Sequence, residues 1–373
     1  MSVRRIPLTA PAPGHERYLT VHEFGAGEHI AYIQAGLHAD EWPGLLVVQH
    51  LLQKLAELEQ AGKIHQTIRV VPYANPLGMN QRVFGVFPGR YDLVTGQNFN
   101  RGMALSAEEL VARVTPQLTD DAAANDQLVR AALRALVSEK TTEYEVHALH
   151  KALLTESIDA TVMLDLHCDF GAMPYLFYGK HQVEQGQALA HCLGFPLSLE
   201  EDVRGTVAFD GTHTQPWVVL GDKTSAPFAR PCFAATLELR GVQDVNDALA
   251  KRDAEGLLAF LEHQGFVSDS GAEPQPMAGT PERFDVEQVK LVQSTANGIL
   301  VHHKPLGSRV RQGEHFADIV LLDRETPQRV AVEAPVSGLL FNLSHAYMVH
   351  PGVTLAMIAS DEAVGEPGAQ LCM

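Results

Sequence analysis

A regular alternation of short apolar runs with segments of helical periodicity constrains this chain more than any other feature. Four apolar runs predict β-strands, at 29–36, 67–75, 159–167 and 233–241. Helical spacing of apolar residues predicts helices at 43–62, 105–155 and 244–264, the second of which begins at a capping box of Ser106 and Glu109. Strands that alternate with helices predict an α/β fold with helices on both faces of the sheet.

The pattern changes after residue 267. Residues 268–284 are rich in Gly, Pro, Ser and charged residues, which is typical of a linker. From residue 285 onward, glycines punctuate runs of Val, Ile and Leu that have little helical periodicity. The sequence therefore predicts an α/β domain at 1–267, a linker at 268–284 and a small all-β domain at 285–373.

Charge and composition exclude several classes of protein. Acidic residues number 45 against 28 basic ones, a formal net charge of -17 that argues against a nucleic-acid partner. No run of about 18 apolar residues is present, so no membrane-spanning helix is expected. The four cysteines form no CxxC pair and the N-terminus has no apolar stretch typical of a signal peptide, so a cytoplasmic location is expected.

Residues suited to metal chemistry follow three of the predicted strands. His38 and Glu41 come after the first strand, Asp165 and His167 end the third, and Glu238 ends the last. Ligands of open α/β sheets bind at the carboxyl ends of the strands, so these side chains are expected to meet there. Two histidines and a carboxylate make a zinc site with an open position for water, and a further carboxylate would move the proton.

Each of these patterns also has an ordinary structural explanation. An isolated His-x-x-Glu is usually solvated surface, and a buried Asp165 and His167 are satisfied by a hydrogen bond to each other. Their combination in this order is far more specific than any single pattern.

The ordered set resembles the succinylglutamate desuccinylase/aspartoacylase family, within the zinc carboxypeptidase superfamily. The resemblance covers roughly residues 30–265 and implies a zinc-carboxypeptidase-like mixed sheet flanked by helices. The motifs that carry it are GLHADE at 36–41, Asn75-Pro76, Arg90, Asn98-Phe99-Asn100-Arg101, Asp165-Leu166-His167 and Glu238.

The resemblance also implies a role for each matching residue. His38, Glu41 and His167 would bind one zinc ion per chain, and Glu238 would act as general base and acid. Asn100 and Arg101 would bind the substrate carboxylate. Arg90 would stabilise the oxyanion, with Arg82 as the alternative for this role. Asp165 would orient His167. Arg240 stands where related chains often have glycine, and strand alternation predicts that it shares the face of Glu238 and lines the pocket.

The C-terminal segment 297–360 resembles half-barrels of biotinyl/lipoyl type. A carrier domain needs a lysine seven residues before its Ala-Pro pair, and this position is Pro327, so the domain is not a swinging carrier. It is expected to cover the pocket or to mediate homo-oligomerisation. Four histidines in it have a spacing that matches no defensible metal site: His302, His303, His345 and His350.

Three functions remain open from the sequence. The leading hypothesis is zinc-dependent hydrolysis of the amide bond of a small N-acyl amino acid or diamino acid. A carboxypeptidase that acts on short peptides is the alternative within the same fold, and a non-catalytic zinc-binding protein is the alternative from another class. The sequence names neither the acyl group nor the amino acid.

Overall fold

The computed structural model describes residues 1–277 and 279–365. Residues 366–373 of the predicted all-β domain, including Cys372, lie outside the described part. No helix in the described residues has both the length and the apolar character needed to cross a membrane.

A nine-stranded mixed sheet forms the centre of the large domain. Its order is β1-β2-β4-β3-β5-β8-β6-β7-β9, with β4, β3, β5 and β8 parallel and β6 antiparallel to β8. The strands are β1 Ser2–Leu8, β2 Arg17–Phe24, β3 Ile30–Ala35, β4 Thr67–Val71, β5 Val162–Asp169, β6 Tyr175–Gly179, β7 Leu197–Glu201, β8 Phe233–Gly241 and β9 Glu282–Asp285. The predicted mixed sheet is confirmed, and every residue of β5 is buried, as expected of a central parallel strand.

In the described residues, eight helices cover the two faces of this sheet. They are α1 Pro43–Gln60, α2 Pro76–Asn80, α3 Ala107–Val114, α4 Ala122–Glu139, α5 Glu145–Ser157, α6 Val183–Leu193, α7 Phe209–Lys223 and α8 Asp247–His263. Apolar residues of α1, α6 and α8 share one hydrophobic core with the sheet, and those of α3, α4, α5 and α7 share another. The helices predicted at 43–62 and 244–264 are therefore α1 and α8.

The predicted helical stretch at 105–155 is divided into three helices, α3 to α5. Pro116 lies in a 3-10 turn after α3, and Asp121 starts a new helix by accepting hydrogen bonds from two backbone amides of α4. Of the predicted capping box, only one half forms: the Ser106 hydroxyl accepts from the amide of Glu109 at 3.1 Å. The Glu109 side chain instead pairs with Arg113.

Two four-stranded antiparallel sheets form the C-terminal domain, in the orders β10-β17-β15-β12 and β14-β13-β11-β16. The strands are β10 Val289–Gln293, β11 Gly298–His302, β12 Arg309–Val310, β13 His315–Leu321, β14 Gln328–Glu333, β15 Gly338–Leu343, β16 Met348–Val349 and β17 Thr354–Ala359. The two sheets enclose one apolar core. The predicted all-β character is confirmed, and the biotinyl/lipoyl type stays a prediction.

The junction between the domains departs from the predicted linker. Residues 282–284, placed in that linker by composition, belong to β9, which pairs with β7 at the edge of the large sheet. A further apolar cluster joins the domains, with Tyr175 and Leu199 on one side and Phe341 and Met357 on the other. The C-terminal domain is thus packed directly against the large sheet beside β6 and β7.

Candidate active site and metal centre

Three neighbouring strands bring the predicted metal and acid–base residues to one edge of the sheet. Because β3, β5 and β8 run parallel, their carboxyl ends lie side by side. His38 and Glu41 lie in the loop between β3 and α1, and His167 lies near the end of β5. Glu238 on β8 is the direct register partner of His167. All four side chains line one cavity.

The candidate metal centre consists of two imidazole rings that face one carboxylate. Nδ1 of His38 lies 2.9 Å from Oε1 of Glu41, and Nδ1 of His167 lies 2.8 Å from Oε2. One donor atom from each of the three side chains lies within 4.8 Å of the other two. All three residues are buried. Two imidazoles and a carboxylate are a donor set that zinc takes in catalytic sites.

The far nitrogen of each ring has its own hydrogen-bond partner. Nε2 of His38 lies 2.9 Å from Oδ1 of Asn98, and Nε2 of His167 lies 2.9 Å from Oδ2 of Asp165. Gln34 donates to the other oxygen of Asp165 at 3.0 Å. With the ring proton on Nε2, each Nδ1 directs its lone pair towards the centre, as a metal ligand must. The donor set and its outer partners therefore fit a metal ion.

The charges of the cluster also favour a cation at its centre. Burial lowers the pKa of His38, which favours the neutral form that binds a metal. Burial also lowers the pKa of His167, but the carboxylates of Asp165 and Glu41 outweigh this effect and hold the pKa well above its usual range. A divalent ion would supply the positive charge that these two buried carboxylates require.

Glu238 lies in the cavity as an additional carboxyl group beside the candidate metal-binding cluster. Burial, and after it the carboxylate of Glu41, raises the pKa of Glu238 well above its usual range. A carboxyl group with a raised pKa is suited to accept and return a proton near neutral pH. The neighbouring Cys168 is not suited to nucleophilic attack, because burial raises the pKa of its thiol.

Asn100, Arg101 and Arg90 line the same cavity. The Oδ1 atom of Asn100 accepts from the amide of Phe209 at 2.8 Å, so its Nδ2 group is left as a donor. The guanidinium of Arg101 donates to the carbonyl of Asn100 at 2.7 Å. Nη2 of Arg90 donates to Oε1 of Glu41 at 2.7 Å. These contacts place hydrogen-bond donors suited to carboxylate and carbonyl oxygens beside the candidate metal-binding cluster.

Arg82, predicted as the rival of Arg90, lies outside the cavity. Its side chain is exposed and donates to the carbonyls of Met79 and Gln81, both at 2.8 Å. Its guanidinium carbon lies 3.9 Å from the centroid of the Phe87 ring. These local contacts hold Arg82 on the surface of the loop, so Arg90 is the better placed of the two arginines.

The prediction that Arg240 shares the cavity with Glu238 is wrong. The pairing of β5 with β8 is irregular between His167 and Asp169, and Arg240 has a φ of 67°, so strand alternation does not hold there. The guanidinium of Arg240 instead forms an ion pair with the buried Asp253 of α8. This arginine anchors α8 to the sheet.

Several residues of the cavity wall carry no sequence signal of their own. Glu201 ends β7, and Asp210 lies in the first turn of α7. Their proximity depends on the strand order of the sheet, which a single sequence does not give. Thr236, in contrast, could have been predicted to line the cavity, because it lies two residues before Glu238 and so shares its strand face.

The C-terminal domain also contributes to the cavity wall. Val286 and Met357 line it directly. The amide group of Asn342 donates to the carboxylate of Asp169, which also accepts from the Tyr175 hydroxyl at 2.9 Å. These hydrogen bonds hold in place the segment that follows His167 at the end of β5. The presence of Val286 and Met357 in the cavity wall is in line with the expectation that this domain covers the pocket.

Comparison with known proteins identifies the family. The model of the succinylglutamate desuccinylase/aspartoacylase catalytic domain matches residues 29–264, so the chain belongs to this family. The activities for which the family is named are hydrolytic, which supports an enzyme. No curated protein matches the chain.

Solved structures share the fold over both domains. A succinylglutamate desuccinylase/aspartoacylase family protein from Shewanella amazonensis is 24% identical, with a TM-score of 0.85 over 97% of this chain and 99% of that one. A similarly described protein from Shewanella frigidimarina is 23% identical, with a TM-score of 0.83 over 96% and 97%. The ectoine utilization protein EutE (DoeB) from Ruegeria pomeroyi is 15% identical, with a TM-score of 0.67 over 96% and 95%.

Proposed function

We propose that this protein is a zinc-dependent amidohydrolase that removes the acyl group from a small N-acylated amino acid or diamino acid. The observation that carries the proposal is a single cavity in which His38, Glu41 and His167 lie beside Glu238. A protein that only holds a metal has no need of a further, half-buried carboxyl group next to the ligands. Membership of a family named for deacylation supports the same conclusion.

His38, Glu41 and His167 would hold the zinc ion through two imidazole nitrogens and a carboxylate. When bound, zinc acts as a Lewis acid on the scissile carbonyl and lowers the pKa of a water molecule to about 7. Asn98 and Asp165 keep the two imidazoles in the orientation that this requires.

Glu238 moves the proton in the proposed reaction. Its carboxylate accepts a proton from the attacking water as the new C–O bond forms at the carbonyl carbon. The same group then donates that proton to the amide nitrogen as the C–N bond breaks, which releases a carboxylic acid and an amine. Its position on β8, directly opposite His167, suits both transfers.

Arg90, Asn100 and Arg101 would bind the negative charges of the substrate and the transition state. Arg90 is proposed to stabilise the oxyanion of the tetrahedral intermediate, because it already reaches the metal-binding carboxylate. Asn100 and Arg101 are proposed to bind the α-carboxylate of the amino-acid half. The cavity walls formed by Val286 and Met357 narrow the space for polypeptides and favour a small substrate.

Turnover of a panel of substrates tests this function. Zinc-loaded protein would be incubated with N-acetyl-, N-succinyl- and N-formyl-amino acids, and the released amine would be measured before and after chelation. Glu238→Gln should retain zinc and the folded state but lose about 10²–10⁴-fold in turnover, the usual contribution of general acid–base catalysis.

Two results would contradict the proposal. Release of C-terminal residues from short peptides without turnover of any acylated amino acid would identify a carboxypeptidase. Binding of zinc without hydrolysis of either class of substrate would identify a non-catalytic metal-binding protein. Normal turnover by Glu238→Gln would assign the proton transfer to another group.

A further inference from the structure

The cavity has a second charged end, whose two carboxyl groups play no part in the proposed hydrolysis. Glu201 is the last residue of β7, and Asp210 is the second residue of α7. Both line the cavity together with Asn100 and Arg101. Because those two residues are proposed to bind the α-carboxylate, the amino-acid half of the substrate lies beside the two acidic side chains.

Asp210 is held in a fixed position by its own contacts. Its Oδ1 atom accepts from the amide of Gly211 at 2.8 Å, and both this contact and the nearby Thr236 side chain act to lower the pKa of Asp210. The first turn of a helix stabilises a negative charge. Burial nevertheless raises the pKa of Asp210, so these contacts compensate only in part for its desolvation.

Glu201 has no comparable set of contacts. Within residues 1–277 and 279–365, no group lies within hydrogen-bond distance of its carboxyl oxygens. Its charged neighbours are Asp210 and, with a smaller effect, the exposed Asp202, which repel it, and Arg101, which attracts it. Burial, followed by the repulsion from Asp210, raises the pKa of Glu201 to about 8. A carboxylate at this position is therefore short of a cationic partner.

The charges around this end favour a cationic group on the substrate. Arg90 pairs with Glu41, and Arg101 is the arginine of the described cavity wall whose charge acts on Glu201. A substrate α-carboxylate would also draw on Arg101. A second substrate carboxylate would meet two acidic side chains, and juxtaposed like charges are strongly unfavourable. An ammonium group would neutralise them.

We propose that Glu201 and Asp210 bind a substrate ammonium group, and that the substrates are N-acylated diamino acids. The α-carboxylate binds to Asn100 and Arg101, and the free side-chain ammonium binds to Glu201, with Asp210 as a second charge behind it. This inference rests on the proposed deacylase function for its orientation of the substrate. It disfavours the acidic amino acids to which the family owes its name.

Pairs of substrates that differ in one charged group test the proposal. Nα-acetylornithine is compared with N-acetylnorleucine, in which a methyl group replaces the ammonium, and Nα-acetyl-2,4-diaminobutyrate with N-acetylnorvaline. N-acetylglutamate represents the acidic substrates. The kcat/KM of the best cationic substrate should exceed that of its neutral counterpart by at least about 30-fold, since the neutral substrate leaves buried charge unpaired.

Glu201→Gln should bring the ratio of cationic to neutral kcat/KM towards one, and Glu201→Lys should shift the preference to N-acetylglutamate. Asp202→Asn is the matched control, because Asp202 is the next residue but is exposed and paired with Arg204. It should leave the wild-type ratio unchanged. A general loss of folding would lower both members of each pair and would not change their ratio selectively.

Binding of the product separates this inference from the proposed function. Isothermal titration calorimetry would compare ornithine, 2,4-diaminobutyrate, norleucine and glutamate on zinc-loaded wild type and Glu201→Gln. Glu201-dependent binding of a diamino acid without turnover would overturn the deacylase function and support the ammonium site. Hydrolysis of neutral or acidic substrates as efficiently as cationic ones, or tight diamino-acid binding unaffected by Glu201→Gln, would overturn the ammonium site. Absence of selective diamino-acid binding would overturn it too.

Discussion

Two regions of this protein bring two histidines onto one carboxylate. In the large domain, His38 and His167 meet Glu41, and in the C-terminal domain two more histidines meet one aspartate. In the second cluster, Nε2 of His315 lies 2.8 Å from Oδ1 of Asp318, and Nε2 of His303 lies 3.0 Å from Oδ2.

An arginine pairs with the carboxylate in each cluster, Arg90 with Glu41 and Arg329 with Asp318. Each cluster therefore offers two imidazole nitrogens and one carboxylate, with an arginine as the nearest cation, although the facing ring nitrogens are Nδ1 in the first and Nε2 in the second. The surroundings of the side chains distinguish the two clusters further.

Burial is the first difference between the two clusters. The side chains of His38 and His167 are 5% and 4% exposed, whereas those of His303 and His315 are 37% and 46% exposed. In water, the second cluster needs no metal to satisfy its charges, because solvent and Arg329 suffice. In the buried cluster, Arg90 pairs with Glu41, but the carboxylates of Glu41 and Asp165 are shielded from solvent.

Outer hydrogen bonds are the second difference. Asn98 and Asp165 hold the far nitrogens of His38 and His167. For His303 and His315, no acceptor among the described residues lies within hydrogen-bond distance of Nδ1. A set of donor atoms therefore defines a candidate metal site only under two further conditions. Outer hydrogen bonds must orient the donor groups, and burial must leave their negative charge in need of a cation.

The largest expected effect is the loss of bound zinc when a histidine of the buried cluster, but not of the exposed cluster, is replaced. His38→Ala should remove the bound zinc and all zinc-dependent turnover, because two protein ligands in a cavity do not replace three. His315→Ala should leave zinc content at one ion per chain. Metal analysis of the dialysed variants measures both. Equal zinc in wild type and His38→Ala would remove the proposed site, and loss of one ion in His315→Ala would place zinc in the exposed cluster.

A smaller effect is expected from the outer shell of the buried cluster. Asp165→Asn keeps the size of the side chain but removes the charge behind His167, and loss of such an outer partner typically lowers metal affinity about 10–100-fold. Competition with a chelator gives the zinc dissociation constant. Asp318→Asn serves as the control and should not change that constant. Wild-type affinity in Asp165→Asn would mean that His167 needs no outer partner.

The buried cluster was predictable from sequence because its residues stand at the ends of strands that pair in parallel. The loop after β3 and the end of β5 meet wherever these strands are neighbours, so His38, Glu41 and His167 follow from local patterns and the edge rule for α/β sheets. The ordered motifs then identify Glu238. No knowledge of the complete strand order is needed.

The exposed cluster was not predictable, because it depends on strand register in the C-terminal domain. His303 comes directly after β11, where His302 pairs with Ala317, and this register brings it to His315 and Asp318 on β13. Spacing among the histidines alone gives no such grouping. The neighbouring His302 instead donates from Nε2 to the carbonyl of Ser344 at 3.0 Å.

Three residues of the large domain could not be placed from the sequence for the same reason. The position of Arg240 depends on a local irregularity of β8 that breaks strand alternation. The meeting of Glu201 with Asp210 depends on where β7 and α7 lie relative to each other. Side chains placed by one strand and its loop can be predicted, and those placed by bulges or by non-adjacent elements need the structure.

The smallest expected effect is the pH dependence of stability at the exposed cluster. Burial raises the pKa of Asp318, but hydrogen bonds from His303, Arg329 and His315 outweigh it and lower the pKa to about 2. A carboxyl group with a lowered pKa in the folded state stabilises the protein above its unfolded pKa of about 3.9. This contribution is lost as the pH falls through that value towards 2.

The variant Asp318→Asn tests whether the lowered pKa of Asp318 contributes to stability without any role in zinc binding. The substitution should lower the free energy of unfolding at pH 5 by no more than about 1 kcal/mol, the range of exposed ion pairs. Urea unfolding of wild type and variant at pH 5, 4 and 3 should give a difference that shrinks with acidification. A difference that grows towards pH 3 would contradict the lowered pKa, and a loss of zinc in this variant would mean that the exposed cluster, too, supports a metal ion.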